Sequence, residues 1–536
     1  MKENRILTDR QTDRQTDRQT DRQTDRQTDR QTDRQGKNCF IKDREKIASI
    51  IFVISIFLFS FVFFTRIYPI VIFDTDDWLY TSYSRIAVPL WGNWNPARIL
   101  PETLMSLSAN FGVYVINPVI NDYIGSITIS YGLVLSVCIS IYLYRFLCFI
   151  KAKFNASLFV GVALSILFLL FHFWAFKRAG SNNDYFLRSH DAACYFYYII
   201  PNLFNATMVL YFFEKKKYSF NDYNSKLTAG LMIVCIYFLI FSNLFPAIIL
   251  VSFFCYVILL HIFRNKKTHT VFSSIKQIQI PVLGLILWIV SLVFEWKGAR
   301  ATSEDLMYDF DLMGTVKTFI STLIHSLNIW FVIFAVIVVV ASFIVLIFNR
   351  KKPENKKYFH FLGLSAFCII VTLIYSLLLC AKVASFYAAR TDILFCVFFF
   401  GFLLLSVLSC VLIRKPLIKM ITPLILIIIC SLSFVTGHRA FKESNIAQLD
   451  ANKCKQIDNY LIEQIKEAED NGSREVKLHV PVFSSDNNWP LPEYGVQWIA
   501  DTLYKQRIIS SEMTVVYCPD SAVNEKFGLD TPYELP

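Results

Sequence analysis

Charged residues make up only 18% of this 536-residue chain. A soluble domain averages about 25%, so an ordinary cytosolic enzyme is excluded. Glycine and proline are scarce too, 17 of each, which excludes a collagen-like or low-complexity protein. No G-x-G-x-x-G or Walker pattern appears, so no nucleotide fold is indicated. His, Cys and carboxylates show no zinc spacing, and the 13 cysteines lie mostly within apolar runs, where they read as small buried hydrophobes. What is abundant is hydrophobicity: 54% of the residues, 50 of them Phe, in uncharged runs of 17 to 30 residues. A bilayer crossing takes roughly 20 residues of helix. The composition predicts an all-α polytopic membrane protein.

Seven copies of TDRQ fill 8–35 without one apolar residue. Residues 1–36 are therefore expected to be a disordered tail. A tetrapeptide period spans twelve nucleotides, and ACA GAC AGA CAG encodes it as a repeated ACAG tetranucleotide. Gain or loss of one unit would shift the reading frame, which points to phase-variable expression; a neutral minisatellite is the bland alternative. No signal-peptide cleavage pattern is seen, so the tail is expected in the cytoplasm.

Eleven apolar segments stand out, at 47–65, 123–144, 155–175, 193–213, 227–241, 246–263, 278–296, 319–348, 358–380, 393–413 and 420–436. With the N-terminus inside, the inner loops carry 19 basic residues against three acids, and the outer loops 11 basic residues against twelve acids. That asymmetry obeys the positive-inside rule and accounts for the net charge of +11 without nucleic acid. The expected layout is a transmembrane domain over 37–436 in a bacterial inner membrane, with a first outer loop at 66–122. Residues 437–536 then form a small α/β periplasmic domain. Within it 439–470 and 496–506 read as helices and 475–483 and 513–518 as strands; Cys454 and Cys518 are free to be paired or not.

Acids and bases are scarce inside the apolar segments, which weakens an ion-coupled transport reading. They gather in the outer loops instead. The first holds FDTDDWLYTSYSR at 73–85 and WNPARILPETL at 94–104. Asp74, Asp76 and Asp77 repel one another, which raises at least one pKa and favours a proton acceptor. They could equally hold a divalent cation or be a solvated acidic loop. Trp78, Tyr80, Tyr83, Trp91 and Trp94 surround them, suited to the membrane interface or to stacking on sugars. Arg85 and Arg98 could clamp a phosphate, with Glu102 beside them as a further polar contact. The second outer loop adds Asp184, Arg188, His190 and Asp191, for acceptor or lipid phosphate or as a plain connector. Lys382 and Arg390 end two spans, as phosphate ligands or as headgroup anchors.

The acidic pair in the first outer loop, followed by W-x-x-A-R and ILPETL, resembles the GT-C class of membrane glycosyltransferases. Bacterial O-antigen-modifying glucosyltransferases are the nearest likeness. The resemblance covers 47–436 in layout and 73–104 in specific residues. It implies transfer of a sugar from a polyprenyl-phosphate donor to a surface glycan such as lipopolysaccharide. Asp76 or Asp77 would then be the base for the acceptor hydroxyl, and Arg98 would match by spacing alone. A flippase for a lipid-linked glycan, an O-antigen polymerase and a membrane acyltransferase are the competing readings.

Overall fold

The computed structural model describes residues 44–176, 185–265, 275–303, 309–414, 416–437 and 443–535. Asp184 and the TDRQ tail, singled out above, lie outside them. The chain divides into two units, 1–55 and 56–536. The described part of the first unit is helix, the opening of α1 (Arg44–Ile67).

The rest is helical apart from one small sheet. The elements are α2 (Thr75–Ser82), α3 (Ile99–Ile120), α4 (Tyr123–Phe154), α5 (Leu158–Trp174), α6 (Ala192–Lys215), α7 (Lys226–Ile240), α8 (Leu244–Arg264), α9 (Gln279–Trp296), α10 (Leu312–Ser326), α11 (Ile329–Phe348), α12 (Pro353–Val383), α13 (Thr391–Ile413) and α14 (Pro416–Gly437). After them come α15 (Ala451–Asp470), β1 (Glu475–Val480), α16 (Glu493–Lys505), β2 (Thr514–Pro519) and α17 (Ser521–Phe527). Among the described residues nine helices are long and apolar enough to cross a bilayer: α1, α3, α4, α6, α8, α9, α11, α12 and α13. This is a helical membrane protein.

Local chemistry starts and stops the helices. Asp122 caps α4 by accepting the Gly125 N–H at 3.0 Å, and Asn155 ends it at φ 51°. Ser157 then caps α5, so two helices turn back on each other through three residues. Close helix packing relies on small residues, as expected where lipid is as apolar as the core. A Cβ on Gly132 would lie 2.4 Å from Thr65 Cγ2, and one on Gly284 would lie 2.4 Å from Phe254. Between α4 and α5 the rings of Phe146 and Phe168 stack at 4.2 Å. Isoleucine and valine on α9 and α11, such as Ile289, Val336 and Ile337, point outward and are exposed. Among outward-facing apolar side chains these are the ones lipid would cover.

Two segments differ from the sequence reading. Residues 99–120 read as part of a loop, yet they form the 22-residue helix α3. Its first residue, Ile99, donates its N–H to Phe241 O at 2.9 Å, and its last leads directly into the cap of α4. The second difference is 319–348, which breaks at Leu327 and Asn328 into α10 and α11 because the Asn328 side chain caps the new helix. Asp311 N–H bonds Ala381 O at one end of α10, and Asn328 N–H bonds Ala175 O at the other.

In the C-terminal domain β1 and β2 pair in parallel, Glu475 opposite Thr514 through Val480 opposite Pro519. The crossover is α16, as parallel pairing requires. Val476, Leu478 and Val480 alternate inward against Cys454, Ile457 and Leu461 of α15. Helix α15 begins at Ala451, twelve residues later than the expected amphipathic stretch, because the Asp450 side chain caps it there. Cys454 and Cys518 are both free thiols. The domain grips α2 along its length. Pro490 O accepts the Thr75 N–H at 3.2 Å, and Trp78 O accepts the Thr502 hydroxyl at 2.8 Å. Thr81 O accepts the Gln506 amide at 3.1 Å, and Tyr123 donates to Gln506 Oε1 at 2.6 Å. Lys455 adds an ion pair to Asp122.

Candidate functional site

Asp74 is the N-cap of α2, its Oδ1 accepting the Asp76 N–H at 2.8 Å while Oδ2 is buried without a partner. Asp77 closes the capping box. Its Oδ2 takes the N–H groups of Phe73 and Asp74 at 3.1 and 3.3 Å, and its Oδ1 takes that of Ala193 at 2.6 Å. Thus Asp77 is a buried joint between the two outer segments. Asp76, between them, is half-buried and none of its carboxylate oxygens is tied to a backbone amide. Across the joint, Asp191 caps the start of α6 by accepting the Cys194 N–H at 2.5 Å.

Four carboxylates in so small a space raise one another's pKa. Burial and then the Asp191 charge push Asp76 up to about 6, with Arg98 and Arg300 pulling the other way. Burial, Asp191 and the neighbouring acids raise Asp74 well above the usual carboxylate range. Asp77 is raised by burial and Asp191 against the pull of its three amides. Asp191 itself is raised, chiefly by burial. Of the four, Asp76 combines access with a pKa near neutrality.

The cation side is built from three elements. Arg98, just before α3, donates its backbone N–H to Asn95 O at 3.2 Å, and its Cζ lies 4.6 Å above the Tyr197 ring, the guanidinium making no hydrogen bond among the described residues. It opens into a cavity of about 440 Å³, shared with Arg300, Lys382, Glu295, Tyr198 and Tyr387. Arg300 reaches Tyr387 Oη at 3.3 Å, and Glu295 accepts the Ala97 N–H at 2.6 Å. Leu292, Leu379 and Val383 supply an apolar wall. Trp296 and Phe386, 75% and 58% exposed, line it where it opens to the surface. Three cations against one carboxylate suit an anion. The apolar wall and rim suit one with a hydrocarbon chain.

The other residues singled out by sequence are placed elsewhere. Arg85 donates from Nη1 to Glu102 Oε2 at 3.0 Å and to Asn95 O at 2.7 Å, with side chains only 1% and 4% exposed. These two partner each other, and neither reaches the cavity. Arg188 is buried and donates to Glu443 O at 3.0 and 2.6 Å, tying down the lead-in to the C-terminal domain. Arg390 forks onto Asp392 at 3.1 and 2.6 Å, and Asp392 also accepts the Ser189 hydroxyl at 2.5 Å. His190 lies within electrostatic reach of Asp392. The structure therefore gathers Asp74, Asp76, Asp77 and Asp191 into one cluster and Arg98 with Lys382 into one cavity. Arg300, Glu295, Tyr198 and Tyr387 in that cavity carried no signal of their own in the sequence. Asp191 did, as a capping residue opening an apolar run. Among the described residues no group of three His, Cys or acidic side chains is arranged to hold a metal ion.

Fold and site together define a multi-helix membrane protein whose acid cluster and cationic cavity lie close enough for Asp76 to feel Arg98 and Arg300. No protein-family model, curated protein or solved structure matches the chain.

Proposed function

We propose that the chain is an inner-membrane glycosyltransferase that moves a sugar from a polyprenyl-phosphate donor to a surface glycan, with lipopolysaccharide the expected acceptor. The observation that carries the reading is one juxtaposition. Asp76, raised to about 6 and so mostly ionised at neutral pH, lies within the electrostatic reach of Arg98, whose guanidinium opens into a cationic cavity with an apolar wall.

In this scheme Asp76 accepts the proton from the acceptor hydroxyl as that oxygen attacks the anomeric carbon. A new glycosidic bond forms, and the bond from the anomeric carbon to the phosphate oxygen breaks. Polyprenyl phosphate leaves with the electron pair, its charge met by Arg98, Arg300 and Lys382. Such fixed cations act where negative charge develops. The geometry favours Asp76 over Asp77 as base, since Asp77 spends both oxygens on backbone amides. Any divalent cation would be an addition to this scheme, and none is required by it.

The topology that goes with this reading has eleven crossings. Helices α3 and α10 run along the outer end, because both ends of each bond to the same end of the bundle. The tail is then cytoplasmic and the C-terminal domain periplasmic, docked over the site. The test is mass spectrometry of surface glycan from cells with the repeat tract locked in frame, comparing wild type with Asp76→Asn and Arg98→Ala. Loss of one sugar mass in both variants, with normal membrane levels, supports the reading. A change in chain length alone would favour a polymerase, an acetyl-sized difference an acyltransferase, and no difference a flippase.

A further inference from the structure

The transfer scheme gives the C-terminal domain no part, yet its contact with α2 is closest where the acids are. Gly495 sits so near α2 that an added Cβ would lie 2.3 Å from Thr75 Cγ2. Together with the bond from Thr75 N–H to Pro490 O at 3.2 Å, this lays the first turn of α16 against the turn that carries Asp74, Asp76 and Asp77. The neighbouring residue, Tyr494, is 57% exposed, and its phenol is raised first by burial and then by the charges of Asp76 and Asp74. One helical turn on, Trp498 meets Tyr494 with ring centroids 6.0 Å apart and planes at 72°.

The opposite side of α16 is the domain's own core, formed by Val496, Ile499, Ala500 and Leu503. The aromatic pair is therefore not needed to fold the helix into its domain. Beneath this corner Asp74 Oδ2 is buried and has no hydrogen-bond donor among the described residues. A ligand for this corner needs an apolar face for two perpendicular rings and several hydroxyl donors for carboxylates. A pyranose ring has both, with C–H bonds on one face and hydroxyls around its edge. A lipid lacks the donors, and an anion would be repelled by the acids.

We propose that Tyr494 and Trp498 form the acceptor subsite, holding a sugar ring of the acceptor glycan so that its hydroxyl reaches Asp76. This rests on the transferase reading above and names the part of the site that binds the acceptor. It gives the C-terminal domain a direct role in substrate recognition.

The test is hydroxyl-radical footprinting of the full chain in lipid nanodiscs, read by mass spectrometry at Tyr494 and Trp498. The probe is core oligosaccharide released from lipopolysaccharide by mild acid. At twice the dissociation constant both residues should be protected about threefold, and equally so in Asp76→Asn. Tyr494→Ala should raise the acceptor KM roughly tenfold, from about one stacking contact, with donor KM unchanged. Tyr494→Phe, which keeps the ring, should restore it. No protection of either residue by the oligosaccharide overturns the proposal, even if Asp76→Asn is inactive and the base assignment stands. Protection with a fully active Asp76→Asn would keep the sugar subsite and remove the base.

Discussion

Arg85 is the residue on which sequence and structure part most clearly, and its replacement separates a structural from a functional role. Its guanidinium and the Glu102 carboxylate meet at 3.0 Å with almost no exposure, and the same Nη1 also bonds Asn95 O at 2.7 Å. Arg85→Ala removes one member of a buried ion pair and leaves the Glu102 carboxyl buried without that partner. Breaking such a pair costs about 3–5 kcal/mol, more than the typical single substitution at about 1 kcal/mol. Replacing both partners by apolar residues of similar volume is often close to neutral. The expected order of thermal stability in detergent is therefore wild type and Arg85→Met/Glu102→Met close together, with Arg85→Ala well below both. Glycan transfer should follow the same order, because the pair supports α3 and does not enter the cavity. A double variant that is folded but inactive would refute this reasoning and return Arg85 to a phosphate-binding role. A stable Arg85→Ala would refute it from the other side, by showing that Glu102 does not need its partner.

Further outcomes follow from the same geometry. With Asp76 as base at about 6, transfer requires the ionised form, so the rate should fall as pH drops through 6 and retain roughly a tenth at pH 5. A flat profile from pH 5 to 7 would count against it. Asp191→Asn removes a charge that raises the Asp76 pKa, so the midpoint should move to lower pH; an unmoved midpoint would show that the two carboxylates do not interact. Arg98→Ala should lower kcat/KM for the donor by about thirtyfold, the worth of one charge-assisted contact of about 2 kcal/mol. Equal activity in single-turnover assays would exclude it from the phosphate site. Gly495→Leu forces a side chain into Thr75, so it should loosen the C-terminal domain from α2 and increase proteolytic release of that domain. Unchanged protease resistance would mean that the contact yields.

The membrane class was written in composition, because an apolar run of about 20 residues has few other stable environments. Each apolar segment picked out in the sequence is mainly helical in the structure, with 319–348 broken at Leu327 and Asn328. The positions of turns were legible wherever a capping side chain marked them, as at Asp122 and Ser157. Helix α3 was legible only at its start, where ILPETL is helix-like: its apolar residues are diluted by Glu102, Ser106, Ser108 and Asn110, and packing on α4 carries it to its full length. The acid triplet was visible, but the distinct jobs of its members were not. Sequence spacing puts Asp76 and Asp77 side by side and says nothing of the Ala193 N–H, 116 residues away along the chain, that occupies one of them.

By itself, then, the sequence determined the apolar environment, the helical content and the uneven charge of alternate loops, and it singled out the acid triplet as a candidate site. These follow from periodicity and solvation, which act over neighbouring residues. Tertiary structure alone decided which cations are spoken for and which are open. Arg85 meets Glu102, Arg188 the main-chain carbonyl of Glu443 and Arg390 meets Asp392, while among the described residues the Arg98 guanidinium lies over a ring and meets no acceptor. Pairing across a fold depends on where distant helices cross, and a local pattern carries no record of that.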